Sequence, residues 1–267
     1  MERKQISVRN TAISVLIILF LYTLLHFAVE KFLAGKVPLG QKLLLISGIT
    51  LVLVGIFQIK GERISFFYGY RDKEKGKNFS GGWLLASGMA CAGTLILYFN
   101  KNIFWQDINP FVNALPYIAV MLPVAMAEEA LFRGYILRRL QTIIKPVHAL
   151  VLSSMIFAIF HGFNPGVSFM ALINILLAGW LLGTLYLKSS SLYMPVAFHF
   201  AWNAMLGPVL GFPVSGIKLP AILETEARGN ILLSGGSFGF EASLVCTVLL
   251  LAISALAYLR WLYEKKI

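Results

Sequence analysis

The stretch FVNALPYIAVMLPVAMAEEALFRGYILRR, residues 111–139, decides the fold. It is long and apolar enough to cross a bilayer core of about 30 Å as a helix, for which about 20 residues suffice. Yet Glu128, Glu129 and Arg133 sit well inside it, with Pro116 and Pro123 upstream. Ionisable groups in hydrocarbon are costly, and they persist where they pair or face a polar cavity. The segment therefore reads as a membrane helix that carries a buried polar site.

Seven more apolar spans surround it. Together the eight run roughly 11–30, 40–59, 82–100, 111–139, 147–161, 169–187, 192–210 and 242–262. The fifth is short for a span and ends in a histidine. Over the 267 residues, hydrophobic side chains make up 58% and charged ones 13%, with a mean hydropathy of +0.77. Soluble domains carry about 25% charged residues, so this chain cannot cover a water-facing surface. The expected fold is all-α: a polytopic transmembrane bundle of about eight spans. The whole of 1–267 reads as one integral membrane domain, with its motif-bearing core at about 115–205.

The net charge is +11, but the basic residues lie between the spans. They indicate topology and anionic lipid rather than nucleic acid. With the N-terminus placed in the cytoplasm, 16 of the 23 basic residues fall on the cytoplasmic side and 6 outside, Arg133 lying within the membrane. This split predicts both termini inside; the expected location is a plasma membrane of bacterial type. The run from Thr11 to Val29 exceeds a signal-peptide core and reads as a retained anchor. Cys91 and Cys246 both fall in apolar spans and read as small core residues, not as a disulfide or metal site. The basic stretch 60–80 reads as a cytoplasmic loop. The Gly- and Pro-rich segment 211–241 is the one long outer loop, a candidate lid or substrate rim.

Three polar clusters occupy the spans. Glu129 and Arg133 are i and i+4 on a helix, acid first, and are assigned to each other; Glu128 is left about 100° around the helix, facing elsewhere. Phe157 and His161 share a second helix face, and His199 and Asn203 a third. At about 1.5 Å rise per residue, Glu128, His161 and the His199–Asn203 pair reach comparable depths from one side. A Glu and a His can share a water and move its proton, while a second His and an Asn can donate to a developing oxyanion. That set can hydrolyse an acyl bond. The same Glu128, His161 and His199 could instead ligate a divalent metal carrying a water. The residue pattern leaves both chemistries open.

Other intramembrane hydrolases fit less well. No His-Glu-x-x-His string exists, and the only aspartates, Asp72 and Asp107, lie in loops. Ser168 precedes a helix and reads as its N-cap rather than a nucleophile.

In their order, Glu128-Glu129-x-x-x-Arg133, Phe157-x-x-x-His161 and His199-x-x-x-Asn203 resemble the three motifs of the CAAX protease and bacteriocin-processing family, also called the Abi or CPBP family. Its members are intramembrane glutamate proteases and include the Ras-converting CAAX endopeptidase. The resemblance implies a peptidase acting on a membrane-associated peptide or protein. Glu128 and His161 would activate water, His199 and Asn203 would form the oxyanion hole, and Glu129, Arg133 and Phe157 would support them. No cofactor is implied, although a divalent metal is compatible. Prenylated substrates need a prenylating host, so the eukaryotic reaction does not follow from the motifs. Two other classes stand beside this one: a non-catalytic immunity or scaffold protein that keeps the fold, and a proton-coupled transporter using the same buried groups. No internal inverted repeat supports the latter.

Overall fold

The computed structural model describes residues 8–60 and 73–264. The chain ends and residues 61–72 of the basic loop, on which the sidedness of the termini partly rests, lie outside the described residues. Among those described, eight helices correspond one to one with the eight apolar spans. These are α1 (Val8–Leu33), α2 (Leu39–Lys60), α3 (Lys75–Phe99), α4 (Phe111–Leu140), α5 (Pro146–His161), α6 (Phe169–Ser189), α7 (Tyr193–Val209) and α8 (Leu244–Glu264). The largest departure is α3, which starts seven residues before the apolar run. A polar first turn costs a helix nothing where it meets water.

Six of these helices, α1 to α4, α6 and α8, have the length and hydropathy to cross a membrane. The other two are α5, with 16 residues, and α7, whose regular part has 12. At about 1.5 Å per residue, α5 is about 24 Å long. That falls short of the roughly 30 Å of a bilayer core, and His161 is its last residue.

Lipid-facing surfaces are apolar, as the solvent demands. Leu16, Phe20, Leu24 and Phe27 of α1 and Leu251, Leu256 and Leu259 of α8 all point outward. Cys246 is buried as its span suggested, whereas Cys91 is exposed, and both thiols are free. A core residue was expected at 91; the α3 face that packs is instead the one holding Gly82, Ala86, Met89, Ala90 and Gly93. Ser168 caps α6, its Oγ accepting the Ala171 N–H at 3.1 Å.

The most extensive helix contact is α3 against α7, the helix carrying His199 and Asn203. Small residues allow it. A Cβ on Gly82 would stand 2.3 Å from the Met194 carbonyl oxygen, well inside contact distance.

The segment 211–241 is folded, not a plain loop. Its strand β2 (Leu223–Ala227) pairs antiparallel with β1 (Ile103–Ile108), in register from Ile103 opposite Ala227 to Ile108 opposite Leu223, with one irregularity. This two-stranded sheet is the one amendment to an all-α expectation. Thr225 donates from its hydroxyl to the Leu210 carbonyl, and Ile222 N–H donates to the Pro208 carbonyl at 2.8 Å. Both bonds clamp the segment to the end of α7. Lys218 donates to the Gly211 carbonyl at 2.6 Å; burial lowers its ammonium below the usual range, partly offset by Glu224.

Gly82→Val should lower the thermal unfolding midpoint in detergent, because its side chain has no room against the α7 backbone and overpacking costs about 1–3 kcal/mol. Gly88→Ala, where a Cβ meets nothing within 4 Å, should leave the midpoint unchanged or slightly raised. Differential scanning fluorimetry on the two variants checks the contact.

Candidate active site

The two motif glutamates are neighbours in sequence with opposite environments. Glu129 is fully buried and Glu128 is partly exposed. Glu129 Oε1 accepts from Arg133 Nη1 at 2.7 Å and also lies 2.8 Å from His199 Nδ1. The Arg133 pairing matches the helix spacing; the bond to α7 does not follow from it. Arg133 is itself 1% exposed. Its Nη2 donates to the Gly179 carbonyl of α6 at 3.2 Å, and its guanidinium stacks over the Phe157 ring at 4.4 Å. One arginine thus ties α4, α5 and α6 together, and Glu129 adds α7.

Immediately after Glu129 the helix widens. Ala130–Leu137 is a π-helix, and a second one, Met205–Val209, follows Asn203. Such wide turns cluster at functional sites. Here each begins within two residues of a motif side chain and re-aims the helix beyond it.

Glu128 Oε2 lies 3.8 Å from His161 Nε2 and 3.8 Å from His199 Nε2. These distances exceed a hydrogen bond. Oε2 is buried and has no hydrogen-bond partner among the described residues. His161 Nδ1 lies 2.8 Å from the Phe157 carbonyl. A carbonyl only accepts, so the proton sits on Nδ1 and Nε2 faces Glu128 with its lone pair. The Phe157 ring packs against the imidazole at 4.4 Å between centroids. His199 and Asn203 are both about 7% exposed and one turn apart on α7. With His161 they line a small, partly open cleft of about 30 Å³, whose remaining walls include Ile175, Ala178, Leu182, Phe198 and Leu250. Among the named candidates, Glu128, His161 and His199 converge. Asn203 and Phe157 share the cleft wall with the two imidazoles, while Glu129 and Arg133 stand behind it and Glu128 lies outside its lining.

Several cleft residues carry no sequence signal. Ser215 and Glu241 enter it from the 211–241 segment, and Trp202 from α7. Outside the cleft lining, Tyr22 of α1 packs on His26, Phe132 and Phe160. Only Trp202 adjoins a motif residue; the others come close through folding alone.

Among the described residues no group of three or more His, Cys, Asp or Glu side chains is arranged to hold a metal ion. Glu128, His161 and His199 come nearest. Glu128 Oε2 stands 3.8 Å from each imidazole Nε2, wider than the roughly 3.3 Å between ligands that bonds of 2.0–2.1 Å to a tetrahedral zinc imply.

Residues 110–205 match one family model, described as type II CAAX prenyl endopeptidase Rce1-like. The match agrees with the family that the three motifs resemble. No curated protein matches the chain. The Rce1-like segment spans α4 to the first turn of the second π-helix and contains every motif residue. It omits α1, from which His26 comes, and the region that supplies Ser215 and Glu241. The Rce1-like family is a protease family, and the match supports a membrane protease as the kind of protein.

Removing one partner from a buried ion pair strands the other charge and costs about 3–5 kcal/mol. Glu129→Gln should therefore lower the unfolding midpoint strongly, by leaving Arg133 and His199 without their shared carboxylate. Glu128→Gln, which breaks no hydrogen bond, should leave it nearly unchanged. Thermal melts of the two variants in the same detergent measure the difference.

Proposed function

We propose that the protein is an intramembrane endopeptidase that hydrolyses a peptide bond of a membrane-associated substrate with water activated by Glu128 and His161. The observation that carries this reading is the placement of Glu128 Oε2 at 3.8 Å from each of two imidazole nitrogens. At that spacing one water can hydrogen-bond to a carboxylate and an imidazole at once, each at about 2.8 Å.

In the proposed reaction, Glu128 takes a proton from this water while His161 Nε2 accepts a hydrogen bond from its other O–H. The water oxygen attacks the carbonyl carbon of the scissile amide, whose oxygen becomes an oxyanion. Asn203 Nδ2 and His199 Nε2 are the donors for that charge. His199 Nδ1 already donates to Glu129, so its Nε2 donates as well only in the imidazolium form, for which Glu128 and Glu129 are the counter-charges. Glu128 then returns its proton to the amide nitrogen, the C–N bond breaks, and the products are a carboxylate and an amine. The atoms balance with one water consumed. No step runs through a metal.

The lipid bilayer is the site of the reaction, so substrate must enter the hydrocarbon or lie at its edge. The immunity or scaffold reading explains the buried Arg133–Glu129 pair equally well. It gives no role to Glu128, which supports no bond that holds the fold together.

Glu128→Gln and His161→Ala should each abolish turnover in reconstituted membranes while the protein stays folded. Asn203→Ala should reduce kcat by about 10²–10³-fold, as expected for loss of one oxyanion donor. Peptides released from host membranes by wild type but not by Glu128→Gln, identified by mass spectrometry, give the substrate and its cleavage site. Equal release by both proteins would end the enzyme reading.

A further inference from the structure

The carboxylate of Glu241 lies in the wall of the cleft that holds His161, His199 and Asn203, in a region that the Rce1-like match does not reach. Its Oε1 accepts from Trp202 Nε1 at 3.0 Å. Its Oε2 accepts from the Ser215 backbone N–H at 2.6 Å and the Ser215 hydroxyl at 3.2 Å. One side chain therefore joins the 211–241 segment to α7, at the residue directly before Asn203 and one turn after His199.

The joint is firmly anchored. Asn174 of α6 donates to the Glu241 carbonyl at 2.8 Å and to the Ser243 carbonyl at 2.9 Å. Thr247 of α8 donates to Asn174 Oδ1 at 2.7 Å. Next to Glu241, Gly239 adopts φ +97°, and a Cβ there would stand 2.1 Å from the Pro213 carbonyl oxygen, so backbone meets backbone. On the α7 side, Trp202 is stacked on Phe198 and packed on Phe240, with ring centroids 5.9 Å apart in both cases.

Helix α7 has a physical need for such a joint. It passes into a π-helix two residues after Asn203, and that stretch contains Pro208, which lacks an N–H to give to the helix ladder. One donor of the helix ladder is therefore missing just beyond the motif turn. The Asn203 side chain makes no hydrogen bond to any described residue, so its aim depends on how α7 is held.

We propose that Glu241 is a positioning residue of the active site: by gripping Trp202 it fixes the turn of α7 that aims Asn203 and His199 into the cleft. This rests on the peptidase reading above. Glutamine at 241 would present a donor to one of the groups that now donate to the carboxylate. Trp202→Phe keeps the stacked ring and removes only the N–H. Loss of the grip would misdirect the oxyanion donors without changing what the cleft binds, so kcat falls and KM holds.

The test uses the full-length protein in detergent micelles and a library of internally quenched, N-acylated peptides, with Glu128→Gln as the inactive reference. Glu241→Gln and Trp202→Phe should each lower kcat about tenfold with KM within about twofold. The double variant should be no slower than the slower single, because both remove the same contact. Unfolding midpoints are measured alongside; if Glu241→Gln does not fold, Trp202→Phe decides. An unchanged kcat, multiplying effects in the double variant, or a loss of activity that only tracks a fall in midpoint would overturn the proposal. Wild-type turnover no greater than that of Glu128→Gln would instead remove the peptidase reading, and this proposal with it.

Discussion

The arrangement depends on one buried contact, the carboxylate oxygen of Glu129 shared by Arg133 at 2.7 Å and His199 at 2.8 Å. In a low-dielectric interior an isolated charge costs several kcal/mol, and close pairing with further hydrogen bonds is what makes it tolerable. Arg133 has that pairing, with a carbonyl from α6 and an aromatic face from α5 added. A contact this constrained fixes four helices relative to each other. It holds His199 by one nitrogen and leaves the other facing Glu128.

Two adjacent glutamates thereby divide the work. Glu129 is consumed by structure, its Oε1 taken on both sides. Glu128 is one residue back around the helix and keeps an unpartnered oxygen between two imidazoles, whereas the unpartnered Oε2 of Glu129 belongs to a fully buried side chain. The divergence follows from helical geometry, since consecutive side chains leave a helix about 100° apart. The π-helix that begins at Ala130 then alters the rotation for everything downstream, and the Glu129–Arg133 pair spans its first turn. The short α5 does a complementary job, ending at His161 and leaving its imidazole on the cleft wall.

Much of this was legible in the chain. All eight apolar spans fold as helices, because hydropathy over some 20 residues is an additive, local property. Pairing of Glu129 with Arg133 is also local, set by one turn of helix, and so is the cap of Ser168 on α6. The cysteines show the limit of composition: Cys91 and Cys246 sit in equally apolar runs, yet one faces outward and the other inward. Periodicity within an evenly apolar helix does not say which face has neighbours. The 211–241 segment shows it too. Its glycines and prolines suggested a loop, but β2 is set by a partner strand more than 100 residues earlier.

The sequence by itself determined that this is a helical membrane protein, and it singled out the polar residues inside the spans, because burying charge in oil is costly wherever it occurs. Only the tertiary structure decided which of those residues meet. It placed His199 on Glu129, set both imidazoles at the same distance from Glu128, and brought Glu241 from the far end of the chain to Trp202. Those are contacts between segments 33 to 71 residues apart. They depend on helix tilt, wide turns and glycine-sized gaps between backbones, none of which is written in the spacing of residues along one helix.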